Sequence, residues 1–142
     1  MLFSRPQALL FLLFFAAFSV NAVEVFVAIS KNNLNFSPDK NAIKDIYLGR
    51  SDFTSAAGRV HAAFYVPNAQ ELDDVISEIT EVEAEKYNSI WRRKLFSGAA
   101  IPPIKLKTEE ELIQFTSTHN LFLIITNQKK LPVAQAQITQ FK

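Results

Sequence analysis

Hydrophobic and polar positions alternate along this chain with two different periods, and the switches between them divide it into elements. From Val23 to Ser30, the residues Val25, Val27 and Ile29 fall on one face of a strand, and Phe26 and Ala28 make the other face apolar as well. A strand apolar on both faces predicts a sheet covered on both sides. Lys31 to Phe36 is a polar loop. Ser37-Pro38 then predicts a helix start, with Ser as N-cap and Pro at the first helical position. Ala42, Ile43, Ile46 and Tyr47 form its buried stripe, and Gly49 ends it. After a loop over Arg50 to Gly58, Arg59 to Val66 reads as a second strand, with Val60, Ala62, Phe64 and Val66 to one side.

Helical spacing dominates the next fifty residues. Asn68 with Glu71 has the form of a capping box, and Leu72, Val75, Ile76 and Ile79 share one helical face. Thr80 with Glu83 predicts another helix start, running through Tyr87, Ile90, Trp91 and Leu95. Gly98 closes that helix and Pro102-Pro103 keeps it from resuming, with Trp91 and Phe96 expected to anchor it in the core. Thr108 with Glu111 opens a further helix containing Leu112, Ile113 and Phe115. Leu121 to Ile125 is continuously apolar and reads as a central strand, and Val133 to Phe141 as an edge strand or a frayed tail. The order β-α-β-α-α-α-β-(β) predicts a single three-layer α/β domain. Its sheet is expected to be small and mostly parallel, the early strands being joined by right-handed crossovers.

The first 22 residues stand apart from this pattern. Arg5, the apolar run Ala8 to Phe18 and the small residues of Val20-Asn21-Ala22 predict a secretory signal peptide cut after Ala22. The expected organisation is a signal peptide over 1–22 and one α/β domain over 23–142, placed in the periplasm. The sequence has no Cys, which excludes disulfides and a lipid-modified N-terminal Cys and suits a bacterial periplasm. Residues 1–22 hold one base, Arg5, so the remainder carries 14 Lys and Arg against 14 Asp and Glu. That balance gives no footprint for nucleic acid. Charge is uneven, however: Glu71 to Glu85 contains seven acids and no base, and Lys86 to Lys107 contains six bases and no acid. Both runs read as solvated helix faces.

No catalytic constellation is present. There is no Cys nucleophile, no His-Glu-x-x-His, no Gly-x-Ser-x-Gly and no P-loop, so the chain is read as a non-enzyme with no cofactor and no metal. His61 has no Cys or second His near it in the sequence and is read as structural or solvent-facing. The chemistry that remains is anion capture at helix N-termini beyond the carboxyl ends of strands. Ser30, Asn33, Ser37, Asn68 and Gln70 would supply neutral donors there, and Arg50, Arg93 and Ser97 would complete a cradle. The candidate anion site is Ser30, Ser37, Asn68, Gln70, Arg93 and Ser97.

Two stretches resemble a known family. Ile43-Lys44-Asp45-Ile46-Tyr47-Leu48-Gly49-Arg50 is similar to a helix end ending Ile-Phe-Leu-Gly-Lys in short phosphate-transporter substrate-binding-like proteins. Trp91, Arg93, Phe96, Ser97, Gly98, Pro102 and Pro103 match a second motif of that family, W-x-R-x-x-F-[ST]-G-x-G-x-P-P. The resemblance implies one lobe of a type 2 periplasmic binding protein. It also implies a role related to the phosphate-binding components of ABC transporters, with phosphate or another small anion and a membrane permease as partners. The ligand-facing positions depart from the pattern. The Gly-Ser-x-x-Arg run is replaced by Ala69-Gln70-Glu71-Leu72-Asp73, Ala99 and Ala100 stand where a base and a Gly are expected, and Leu121 to Ile125 lacks the late Gly. The expected function is therefore an exported substrate-binding-like protein with a degenerate anion site. The alternative is an accessory module of an envelope complex, acting through the acidic face Glu71 to Glu85 or the tail Val133 to Lys142.

Overall fold

Residues 121–126 are buried without a break, and the strand they contain forms the middle of the sheet. A computed structural model describes residues 23–33, 36–52, 54–55 and 58–142. The expected signal peptide lies outside them. Among the described residues no helix is long and apolar enough to cross a membrane. In chain order the elements are β1 (Phe26–Ser30), α1 (Lys40–Tyr47), β2 (Thr54–Ser55), β3 (Gly58–Arg59), β4 (His61–Tyr65), α2 (Leu72–Thr80), α3 (Ala84–Ser97), β5 (Ile104–Leu106), α4 (Glu109–Thr118), β6 (Phe122–Thr126) and β7 (Ala136–Gln140). A 3-10 turn, Ala69–Glu71, leads into α2.

The five-stranded sheet runs β5-β4-β6-β1-β7, and β2 with β3 makes a separate two-stranded ribbon. Helices α1, α2 and α3 cover one face. There Tyr47, Ile76, Ile79, Tyr87 and Trp91 pack on Val27, Phe64, Leu123 and Ile125. Helix α4 covers the other face, where Leu112 and Phe115 meet Ala28, Ala63, Phe122 and Ile124. The chain is thus a mixed α/β domain of three layers. Burial on both faces explains the unbroken apolar runs of β1 and β6.

The sheet is mixed, not mostly parallel. Strand β4 is parallel to β5 and β6, but β1 is antiparallel to both β6 and β7. The first two long strands are not neighbours, because β6 lies between them, so α1 does not close a β-α-β unit. A strand buried on both faces carries the same residue pattern in either direction, which is why periodicity did not reveal the reversal. Strand β5 also escaped the pattern, being three residues long with the first two exposed. The tail forms β7 on the outer edge, paired from Phe26↔Gln140 to Ser30↔Ala136.

Several expected boundaries shift. Asp39, not Ser37, caps α1, accepting from the Ala42 N–H at 2.7 Å. Thr80 ends α2 instead of starting α3; its hydroxyl donates to the Ile76 carbonyl at 2.6 Å, four residues back. The box at Thr108 holds, with Glu111 N–H donating to Thr108 Oγ1 at 3.1 Å. Gly98 closes α3 at φ +67°, a left-handed conformation that favours Gly. Trp91 is buried as expected, but Phe96 is 89% exposed and Leu95 54% exposed.

Candidate functional site

Strands β4 and β6 are parallel neighbours, and the chain leaves their carboxyl ends toward opposite faces of the sheet. After β4 it enters α2 on the first face. After β6 it passes Leu131 and Val133, which pack on the second. Such a switch point is where ligands bind in open α/β sheets. Here the crevice is closed by its own side chains. The Asn68 side-chain oxygen accepts from Gln70 N–H at 3.1 Å, capping the 3-10 turn. Asn127 Nδ2 donates to Glu71 Oε2, and Gln128 Nε2 donates to Asn127 Oδ1 at 2.9 Å. The Asn68 and Asn127 amides already donate to Glu71, whose carboxylate repels an anion.

The six predicted anion-site residues do not converge. Asn68 and Gln70 share the turn at the carboxyl end of β4. Ser30 lies at the opposite end of the sheet, because β1 runs antiparallel to β6. It is buried, and its hydroxyl accepts from the Phe122 N–H at 3.2 Å. Ser37 is exposed ahead of α1, beside Val27 and the end of β7. Arg93 is exposed on α3, and Ser97 Oγ donates to the Lys94 carbonyl of the same helix at 3.0 Å. Sequence spacing could not show that the reversed β1 carries Ser30 away from Asn68.

A different cleft, of ≈ 130 Å³, lies at the amino end of β4, lined by Ile46, Asp52, Arg59, His61, Trp91 and Ile104 among others. Its wall is fixed by contacts between distant segments. The Trp91 indole N–H donates to the Tyr47 carbonyl at 2.9 Å, and Lys94 Nζ donates to the Gly49 carbonyl at 3.0 Å. Gly49 has φ +68°, and a Cβ there would stand 2.8 Å from the Trp91 ring, so the position requires Gly on both counts.

The two His residues, 58 positions apart in the sequence, meet beside this cleft. His61 stacks on His119 with ring centroids 3.8 Å apart, and His119 also tilts against Phe115 at 4.8 Å. Desolvation, then His119, then Arg59 push the His61 imidazole below its usual pKa. Sequence distance hid this pair, which stacks His61 on His119. Among the described residues no group of three or more His, Cys, Asp and Glu is placed to hold a metal ion.

Sequence reasoning also missed a run of exposed apolar side chains between the end of α3 and β5. Leu95, Phe96, Ile101 (70% exposed) and Ile104 (47%) are four of the five exposed large hydrophobics of the described residues, and they fall within ten positions. A signal was present in the sequence: Leu95-Phe96 immediately precedes the Ser97-Gly98 stop, where a helix runs out of core. In comparisons with protein-family models, curated proteins and solved structures, none matches this chain.

Proposed function

We propose that this chain is an exported, non-enzymatic accessory domain that keeps a substrate-binding-like lobe and acts through protein contact instead of phosphate capture. The observation that carries the reading is the Glu71–Asn127–Gln128 network, which fills the strand-end crevice with a carboxylate and satisfies the donors an anion would need. The scatter of Ser30, Ser37 and Ser97 supports it, since two of these hydroxyls are already hydrogen-bonded to backbone. The motif from Trp91 to Pro103 supports the ancestry: Trp91 packs on α1, and Gly98 caps α3 in the conformation the motif needs. The acidic run of α2 is the helix's solvated face and adds no hydrophobic anchor, so it is not the contact surface in this reading.

A second reading, anion binding in the cleft at the amino end of β4, is favoured by Arg59 and His61 lining one wall. Titration calorimetry separates the two. The accessory reading expects no heat from phosphate or sulfate up to millimolar concentrations, and a reproducible cross-linked partner in envelope extracts. Millimolar or tighter phosphate binding that Arg59→Gln abolishes would replace it with the second reading.

A further inference from the structure

The geometry points to the groove between α3 and β5 as the docking site for an extended, acidic protein segment carrying apolar side chains; this rests on the accessory reading above. The groove, ≈ 440 Å³, is floored by Tyr87, Trp91, Leu95, Pro102 and Pro103. Arg92 stands on its helical side and Lys105 on its strand side. Ile101 extends the apolar surface past the end of α3, through a neighbouring depression that also holds Leu95, Asp52 and Arg59. Single exposed hydrophobics are ordinary, but a contiguous cluster along a groove marks an interaction surface.

Charge selects the partner. No acid occurs between Lys86 and Lys107, and six bases do. In the groove itself both charged side chains, Arg92 and Lys105, are positive. Lys105 makes only a long contact with the Asn88 side chain, at 3.4 Å. An acidic segment would meet complementary charge on both rims while its apolar side chains enter the floor.

The shape selects an extended segment. Strand β5 lies at the end of the sheet and, among the described residues, pairs with β4 alone, leaving its outer backbone edge to accept a strand. A membrane surface fits less well. The apolar side chains line a concavity, and α3 turns its Tyr87 and Trp91 face inward, instead of presenting one apolar face along its length. The floor carries one further mark. Among the described residues the buried Tyr87 hydroxyl has no hydrogen-bond partner, and the neighbouring Trp91 N–H donates to the Tyr47 carbonyl.

Fluorescence polarisation with a labelled peptide alternating Glu with Leu and Phe tests the assignment, against the same peptide with Lys in place of Glu. The acidic peptide binds and the basic one does not. Leu95→Ser with Ile101→Ser, and separately Arg92→Glu with Lys105→Glu, each weaken binding at least about tenfold. These residues are exposed, so folding, checked by circular dichroism, is retained. Ile113→Ser, on α4, leaves binding unchanged. Equal binding of both peptides, no binding of either, or no response to the groove variants overturns the assignment. So does Leu95-dependent sedimentation with phosphatidylglycerol vesicles stronger than the binding of the peptide. Those failures leave the accessory reading standing, which falls instead if envelope cross-linking recovers no partner.

Discussion

The crevice at the carboxyl ends of β4 and β6 and the groove between α3 and β5 treat their polar groups in opposite ways. In the crevice, Asn68, Glu71, Asn127 and Gln128 bond to one another and to the turn. In the groove, apolar rings form the floor, bases form the rims and a buried hydroxyl goes unpaired. The strand-end crevice is thus occupied by the chain's own hydrogen-bonded side chains, while the groove keeps exposed apolar and basic side chains.

The largest test of this contrast lies in the groove floor. Trp91→Ala removes a buried ring that packs on α1 and donates to the Tyr47 carbonyl, and is expected to cost about 3–5 kcal/mol in urea unfolding. Glu71→Ala in the crevice touches an exposed network and should stay within about 0.5 kcal/mol of the parent protein. If the two variants cost the same, the crevice network is structural and the contrast is lost.

A smaller effect separates two buried phenols. The Tyr47 hydroxyl donates to the Ala63 carbonyl at 2.7 Å, with the Leu123 carbonyl at 3.1 Å, tying α1 to neighbouring strands. Burial, with a contribution from Tyr87, holds its phenol well above the usual pKa. Tyr47→Phe should lose about 1–2 kcal/mol. Tyr87→Phe removes a buried hydroxyl that has no partner, and should be neutral or raise the melting temperature. A comparable loss at Tyr87 would mean that its hydroxyl is paired and the groove floor is not short of a partner.

The smallest effect is in pH. His61 in the fold binds its proton more weakly than in the unfolded chain, so the unfolded state takes up more protons between the folded pKa and about 6.5. Its contribution to stability is complete above that range and is lost as pH falls through the folded pKa. His119→Gln removes the stacked neighbour that disfavours the charge, and should flatten the melting-temperature profile between about pH 7 and 5. An unchanged profile would mean that the stack does not affect the titration of His61.

Much of this molecule was legible in one dimension. The two-faced burial of β1 and β6, the stripes of α1 and α2, the Thr108 cap and the Gly49 and Gly98 stops follow from side-chain periodicity and backbone preference, which act within a few residues. The polar identity of Asn68 and Gln70 as turn residues was legible for the same reason. Tertiary structure alone decided the rest. It set β6 between β1 and β4, sent Ser30 to the far end of the sheet from Asn68, and brought His61 onto His119. It also left Phe96 outside the core that Trp91 enters. The physical reason is that periodicity records which side of an element meets apolar material, not which neighbour supplies it or in which direction that neighbour runs.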